Sequence, residues 1–151
     1  MKIIQGDLIK LALAGKFEVL VHGCNCMCTM GAGIAKQIKR EFPEAYLADC
    51  KTLKGDRLKL GTISYASINK NEIDLVVVNG YTQYHWMGKG VLVDYDALSS
   101  VFRSVKQKFS GKIIGYPKIG AGLAKGDWQI ISQIINKELR GENHTLVEFM
   151  A

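Results

Sequence analysis

The fold follows from residues 17–35, which read FEVLVHGCNCMCTMGAGIA. The first part, Phe17–His22, is short, apolar and rich in β-branched residues, which predicts a strand. The last part opens a helix over Gly33–Phe42, because Ile34 and Ile38 recur one turn apart while the charged side chains face outward. A strand, a glycine-rich loop and a helix in this order are typical of an α/β protein.

The remainder of the chain continues this alternation of strands and helices. Apolar residues in short runs or at alternate positions predict strands, and apolar residues at helical spacing predict amphipathic helices. The predicted strands are Lys2–Gln5, Thr62–Ile68, Leu75–Val78, Lys112–Tyr116 and Thr145–Phe149, and the predicted helices are Pro43–Cys50, Asp94–Phe109 and Trp128–Leu139. The sequence therefore predicts a three-layer α/β/α sandwich around a mixed, largely parallel sheet.

Composition places the chain among globular proteins. Its 151 residues, 48% hydrophobic and 23% charged, fit one domain spanning residues 1–151 and exclude the disordered, fibrous and membrane-embedded classes. The apolar runs are far shorter than the ~18 residues of a membrane span, and the first residues do not resemble a signal peptide. We therefore expect a cytoplasmic monomer. The net charge of +6 is compatible with phosphorylated small molecules, nucleic acid or solubility alone.

The four cysteines are not expected to form disulfides or a zinc site. Cys24, Cys26 and Cys28 alternate at a spacing that suits neither Cys-x-x-Cys zinc chemistry nor mutual bridging, so we interpret them as reduced thiols. The histidines lie far apart in sequence, at His22, His85 and His144. The sequence therefore predicts neither a metal ion nor another cofactor.

Two glycine-rich segments are predicted at the edge of the sheet where parallel strands end. One is HGCNCMCTMGAGI at residues 22–34, and the other is PKIGAGLAKGDW at residues 117–128. Each leaves a strand and enters a helix, so glycine flexibility and unpaired helix amides give each segment the means to bind an anion. A single Gly-x-Gly more often only turns the chain, but two at equivalent positions suit a diphosphate. Neither segment matches a P-loop or a dinucleotide fingerprint.

Three motifs in one order resemble a macro domain. They are Gly6-Asp7-Leu8 after the first strand, His22–Asn25 followed by Met30–Ala35, and Pro117–Leu123 followed by Gly126–Trp128. The resemblance spans essentially the whole chain. Within this family, the motifs are similar to those of the small single-domain branch that includes yeast-type ADP-ribose-1″-phosphate phosphatases and terminal ADP-ribose protein glycohydrolases. The resemblance implies the macro-domain fold and a pocket for ADP-ribose.

The resemblance also implies a role for each motif. Asp7 would accept the adenine amino group, the amides of Gly31–Ile34 would hold one phosphate and the distal ribose, and those of Ile119–Leu123 the other phosphate. Asp7 is equally explained as a helix cap, and Phe149 either stacks on adenine or is a core residue. The expected ligand-binding residues are Gly6, Asp7, Leu8, Gly31, Ala32, Gly33, Ile34, Ile119, Gly120, Ala121, Gly122, Leu123, Trp128 and Phe149.

The candidate catalytic residues are His22, Asp127 and Asn25. Hydrolysis of a phosphomonoester without a metal needs donors around the phosphate and an acid, base or nucleophile within reach. The yeast-type phosphatases have a run similar to that around His22, and Asn25 would face the distal ribose. The alternative is a hydrogen-bonded core residue for His22 and the N-cap of the following helix for Asp127.

Two positions argue against a glycohydrolase that forms a lysyl adduct. Such enzymes have a lysine after the fourth strand and an aspartate after the second Gly-x-Gly, where this chain has Gln83 and Ala124. A glutamine cannot form the adduct. Lys89 or Lys125 would have to substitute, and surface lysines are usually solvated.

Three hypotheses follow. The first is a hydrolase of ADP-ribose derivatives, specifically an ADP-ribose 1″-phosphate phosphatase. The second is a module that binds free or protein-linked ADP-ribose without turnover. The third is a deribosylating glycohydrolase acting on protein or nucleic acid, which the net charge favours. The predicted partners are ADP-ribose, its phosphorylated or ester derivatives, and ADP-ribosylated protein or nucleic acid; no membrane partner is expected.

Overall fold

A computed structural model describes residues 1–150 of the chain. The strands are β1 Lys2–Gly6, β2 Val19–Cys24, β3 Ile63–Lys70, β4 Ile73–Tyr81, β5 Ile113–Tyr116 and β6 Asn143–Phe149. The helices are α1 Leu8–Leu13, α2 Gly33–Glu41, α3 Pro43–Cys50, α4 Tyr95–Phe109 and α5 Trp128–Glu138, with a 3-10 helix at Arg57–Lys59. Within residues 1–150, no helix combines the length and the apolar character needed to cross a lipid bilayer.

The strands form one six-stranded sheet in the order β1-β6-β5-β2-β4-β3. Every neighbouring pair is parallel except β3 and β4, which are antiparallel. A tight turn between β3 and β4 is sufficient for an antiparallel pair, whereas the parallel strands are connected through helices. The predicted mixed, largely parallel sheet is confirmed.

Helices cover both faces of this sheet. Along β2, Val19 and Val21 belong to the core cluster that includes α4 and α5, whereas Leu20 belongs to the cluster that includes α1, α2 and α3. Adjacent side chains of a strand point to opposite faces, so β2 is packed on both sides. These three side chains are at most 1% exposed. The result is the predicted three-layer α/β/α sandwich.

The five mutually parallel strands all end at one edge of the sheet. The segments that follow them there are Asp7 after β1, residues 25–32 after β2, residues 82–94 after β4 and residues 117–127 after β5. Sheets of this kind bind ligands at this edge, because the loops and helix N-termini converge there. We call residues 25–32 the first loop and residues 117–127 the second loop.

β2 and β4 both end later than the apolar pattern indicates. β2 covers Val19–Cys24 rather than Phe17–His22, a shift of two residues, and β4 covers Ile73–Tyr81 rather than only Leu75–Val78. The added residues of β4 include Asn79, whose polar side chain interrupts the apolar run. The consequence is that His22 and Asn79 pair inside the sheet rather than at its edge, with their Cα atoms in register.

Candidate ligand-binding cleft

A cleft of about 780 Å³ opens at the carboxyl edge of the sheet, between the first and second loops. Both loops contribute to one cavity, as the sequence analysis predicted. The expected site residues that line the cleft are Asn25, Gly31, Ala32, Gly33, Ile34, Ile119, Gly120, Gly122 and Leu123. The two glycine-rich segments therefore face a common ligand space.

The N-terminus of α2 opens into this cleft with bare amides. Its N-cap residue, Ala32, has extended backbone angles but no side chain that accepts a hydrogen bond. Within residues 1–150, the N–H groups of Gly31–Ile34 have no backbone acceptor. A helix N-terminus carries a partial positive charge of about half an elementary charge. The start of α2 is therefore an anion-binding wall of the cleft.

Close packing of glycines on Val93 shapes the second loop. A Cβ at Gly120, where φ is +76°, would lie 2.8 Å from Val93 Cγ2, and one at Gly126 would lie 2.5 Å from Val93 Cγ1. The Gly126 N–H donates to Gly120 O over 2.6 Å, which closes the loop on itself. Within residues 1–150, the amides of Gly120, Gly122 and Leu123 have no backbone acceptor. The second loop therefore also presents backbone amides that could bind an anion.

Gly31 and Gly122 face open space. A Cβ built at either position meets no atom within 4 Å, and neither residue has a φ in the left-handed region. The protein itself therefore does not require glycine at these two positions. Since both residues line the cleft, the open space beside them is space for a ligand.

Asn25 braces the first loop. Its Oδ1 accepts from Met27 N–H at 2.8 Å and from Thr29 Oγ1 at 3.2 Å, while its Nδ2 contacts Thr29 Oγ1 and Thr29 O at 2.9 and 3.2 Å. The side-chain amide of Asn25 lines the cleft but is engaged within the loop. In this arrangement Asn25 shapes the loop rather than presenting free atoms to a ligand.

A buried lysine anchors the first loop from behind. Lys59 Nζ donates to Cys26 O at 3.2 Å, lies 3.4 Å from Cys28 Sγ, and lies 3.9 Å from Asp49 Oδ1. Asp49 also accepts from the Tyr81 hydroxyl at 2.8 Å. Burial raises the pKa of Asp49, and the hydrogen bond from Tyr81 and the nearby Lys59 oppose that rise. Lys59 therefore joins the cysteine-containing loop to Asp49 of α3.

A second cavity of about 420 Å³ adjoins the cleft and shares Gly33, Ile34, Pro117 and Lys118 with it. Asp7, Leu8 and Phe149 line this cavity. Asp7 also caps α1 by accepting from Lys10 N–H at 3.1 Å, so both of its proposed roles are compatible with the structure. Phe149 is 74% exposed, so it is not a core residue.

Lys118 is a site residue that the sequence analysis missed. It lines both cavities, and among the residues lining the larger cleft it is the one with a formally charged side chain. Its Nζ lies 3.6 Å from Glu148 Oε2, and its side chain is 47% exposed. The signal was available in the sequence, because Lys118 lies between Pro117 and the first glycine of the second loop.

His22 lies outside the cleft, contrary to its expected catalytic role. It is fully buried, and its Nε2 lies 2.7 Å from Asn79 Oδ1. The Asn79 amide nitrogen donates to Ala45 O, so Asn79 Oδ1 is the acceptor and His22 Nε2 carries the proton. Burial lowers the pKa of His22 to about 4. His22 is a neutral core residue.

Asp127 also lies outside the cleft. It is exposed and caps α5 by accepting from Gln129 N–H at 2.9 Å, while its own N–H donates to the Tyr95 hydroxyl at 3.0 Å. Trp128, the first residue of α5, packs against the core beneath α4 and α5 instead of lining a cavity. The alternative interpretation of Asp127, a helix cap, is therefore the observed one.

Gly6 and Ala121 do not line either cavity. Gly6 O accepts from Met150 N–H at 3.0 Å, which ties the end of β1 to the last described residue. Ala121 packs its side chain against the core cluster under α5. Both residues support the neighbouring ligand-binding segments from behind.

Gln83 and Trp86, in the segment after β4, line the cleft but not the second cavity. Gln83 is fixed by its backbone bridge to Val93, by Cys26 Sγ at 3.5 Å from Gln83 O, and by its Nε2 donating to His85 O at 3.0 Å. From sequence alone, Gln83 stood out only as the replacement for a lysine. Trp86 is 52% exposed and lies against the His85 ring.

In the part of the chain that the structure describes, no three His, Cys, Asp or Glu side chains form a group suited to a metal ion. All four cysteines are unpaired. Burial raises the pKa of Cys24, which lines the cleft. The Cys24 side chain is therefore a neutral thiol at the base of the cleft.

A family profile described as Macro domain matches residues 21–135. The chain belongs to the macro domain family. The match begins in β2 and extends into α5, so it includes both loops of the cleft. Membership of this family accounts for both the fold and the two glycine-rich loops of the cleft.

Relatives of this macro domain include proteins named for two different activities. It is 36% identical to an uncharacterized 17.5 kDa protein of Enterobacteria phage T4 (90% of this chain, 88% of the relative). It is 30% identical to an ADP-ribose 1″-phosphate phosphatase of Debaryomyces hansenii (91% and 93%). It is 29% identical to a DNA ADP-ribosyl glycohydrolase of Mycobacterium tuberculosis, of whose length it spans only 36% while 85% of this chain is covered.

A solved structure shares the fold of this macro domain. Thermosipho africanus DarTG in complex with ADP-ribose superposes with a TM-score of 0.74 at 19% identity, covering 99% of this chain and 42% of that chain. At this level of identity the likeness concerns the fold alone.

Proposed function

We propose that this macro domain binds ADP-ribose in the cleft and hydrolyses ADP-ribose 1″-phosphate to ADP-ribose and inorganic phosphate. The observation that carries the proposal is the meeting of two bare-amide loops in one cleft. Two phosphates joined in one ligand need two adjacent anion sites, and the start of α2 and the second loop supply them.

The second cavity determines the direction in which ADP-ribose would lie. Asp7 provides a carboxylate that accepts from the adenine amino group, and the exposed Phe149 ring offers a stacking surface. The diphosphate then lies beside Lys118, where the two cavities join. The distal ribose and its 1″ substituent reach the end of the cleft near Gln83 and Trp86.

One consideration favours the phosphatase over a DNA or protein glycohydrolase that forms a lysyl adduct. The cleft has Gln83 and Ala124, which cannot replace a lysine and an aspartate in chemistry.

A binding module without turnover is the second candidate. It is favoured by one observation, namely that His22 and Asp127 both lie outside the cleft. Binding and turnover therefore need separate measurements.

The test is calorimetry with ADP-ribose followed by a phosphate-release assay on ADP-ribose 1″-phosphate. We expect ADP-ribose to bind more tightly than adenosine, because adenosine has no phosphates for the two loops. Failure to bind ADP-ribose would overturn the whole proposal. Binding without phosphate release would favour the second candidate.

Substitution of Gly122 by valine locates the ligand. The protein has room for the new side chain, so stability is expected to stay within about 0.5 kcal/mol of wild type while ADP-ribose affinity falls at least ~10-fold. Gln107→Val on the exposed side of α4 is the control and should change neither property. Unchanged affinity in Gly122→Val would contradict the placement of the diphosphate.

A further inference from the structure

We propose that this cleft breaks the C1″–O bond of ADP-ribose 1″-phosphate, not the P–O bond, and that Gln83 positions the attacking water. The inference rests on the proposed function and specifies which bond of that substrate is cleaved. It follows from the groups that the cleft presents at its two ends.

Lys118 and Gln83 belong to segments that follow different strands, β5 and β4, which β2 separates in the sheet. Lys118 lines both cavities, next to the expected diphosphate. The reacting end of the cleft, around Gln83, Trp86 and Cys24, is lined by an amide, an indole and a thiol kept neutral by burial. Transfer of a phosphoryl group depends on positive groups around its oxygens, and those side chains do not provide them.

Cleavage at carbon also expels the phosphate as an anion, but it makes an additional demand on the protein. When the C1″–O bond breaks, positive charge develops on the sugar ring, as in glycoside hydrolysis. Oxygen acceptors stabilise such a charge, and they also orient the protons of a water molecule. The reacting end of the cleft therefore suits a sugar cation better than a phosphoryl transition state.

Gln83 supplies this acceptor. Its Nε2 donates to His85 O, which fixes the orientation of the amide because a reversed amide would bring two oxygens together at 3.0 Å. Among residues 1–150, no hydrogen-bond donor contacts Gln83 Oε1, and this atom is not among the buried unpaired ones. Asn25 cannot take the same part while Met27 and Thr29 engage its amide.

The step balances without a proton acceptor from the protein. Water oxygen forms the new bond to C1″, and the electron pair of the C1″–O bond leaves with the phosphate oxygen. The departing phosphate takes one proton of the water, so the products are ADP-ribose and hydrogen phosphate. Gln83 Oε1 accepts a hydrogen bond from this water and holds it near C1″.

Hydrolysis in ¹⁸O-labelled water tests which bond breaks. The inorganic phosphate is analysed by mass spectrometry, because phosphate oxygen does not exchange with water under mild conditions. We expect phosphate without ¹⁸O. One ¹⁸O atom in each phosphate would overturn the inference and leave the proposed phosphatase intact. Absence of phosphate release would overturn the proposed hydrolysis itself.

A variant tests the part assigned to Gln83. In Gln83→Leu we expect kcat to fall ~100-fold while the affinity for ADP, which lacks the distal ribose, stays within twofold. Gln83→Glu keeps an acceptor oxygen and should restore part of kcat, with activity falling in acid as the new carboxylate is protonated. Gln133→Leu on the exposed side of α5 is the matched control. Equal kcat in Gln83→Leu and wild type would refute the positioning role.

Discussion

The helices α2 and α5 both follow glycine-rich loops, but they differ in the side chain at the N-cap: α5 has a carboxylate there and α2 has a methyl group. The N-cap residue of α2 is Ala32, which has no side-chain acceptor, and the first amides of this helix remain bare. The N-cap residue of α5 is Asp127, whose carboxylate accepts from Gln129 N–H and lies outside the cleft. Both follow a glycine-rich loop, so sequence similarity alone does not separate them. The N-cap residue determines whether a helix start binds an external anion or its own side chain.

Placing a carboxylate at the start of α2 should have the largest effect on ligand binding. Ala32→Asp gives α2 the cap that α5 has, and its negative charge occupies the expected phosphate site. We expect ADP-ribose affinity to fall at least ~100-fold, which corresponds to about 2.7 kcal/mol, while thermal stability is kept or raised. Ala32→Ser is the uncharged control. Tight binding by Ala32→Asp would show that α2 does not hold a phosphate.

Removing the anchor of the first loop should have the largest effect on folding stability. Lys59→Met leaves the buried Asp49 without its cation and Cys26 O without one donor, so we expect a loss of about 3 kcal/mol in unfolding free energy. The Lys59→Met/Asp49→Asn double variant should recover part of this loss. Denaturant unfolding measures both, and additive effects would contradict the coupling of Lys59 to Asp49.

Glycine packing in the second loop should matter less than this anchor. Gly126→Ala places a Cβ 2.5 Å from Val93 Cγ1 and 2.6 Å from Gly120 O, so the loop must shift. We expect about 2 kcal/mol of destabilisation by urea unfolding. Gly122→Ala, in open space, is the matched control and should be nearly neutral. Equal stabilities would mean that Val93 does not shape this wall.

The charge on Lys118 should have a moderate effect on binding. In Lys118→Ala we expect ADP-ribose affinity to fall ~10-fold at low salt, with a smaller difference at high salt, because the side chain is partly exposed. Adenosine affinity should not change. Glu148→Gln, which removes the competing carboxylate, should tighten ADP-ribose binding, and weaker binding in this variant would argue against the assignment.

Removal of the cap of α5 should have the smallest effect. Asp127→Ala is expected to cost about 1 kcal/mol in thermal or denaturant unfolding, because one helix amide loses its acceptor. ADP-ribose affinity and phosphate release should stay within twofold of wild type. A large loss of turnover in a folded variant would show that Asp127 has a catalytic role.

Much of this architecture was predictable from local patterns. Apolar runs identified all six strands, and the glycine-rich segments identified both walls of the cleft. The roles of His22 and Asp127 were not predictable in the same way. His22 is removed from the cleft because β2 continues to Cys24 and because Asn79 on a neighbouring strand contacts it, although the two residues are far apart in sequence.

The contact of Lys59 with the first loop could not be predicted from sequence patterns either. Lys59 lies in a short 3-10 helix that carries no apolar periodicity, and its burial depends on Asp49 and Tyr81 from other elements. Lysine is rarely buried without such partners. Local sequence indicates where a loop starts and ends, but not which distant side chain fixes its shape.

The open space beside Gly31 and Gly122 makes this macro domain a candidate for receptor engineering. A larger side chain at either position narrows the cleft without forcing the protein to rearrange. Such a variant could bind a nucleotide analogue from which the clashing group has been removed, and it would have low affinity for the natural ligand. Substitution at Gly31 or Gly122 can therefore change which nucleotides the cleft accepts without changing the rest of the protein.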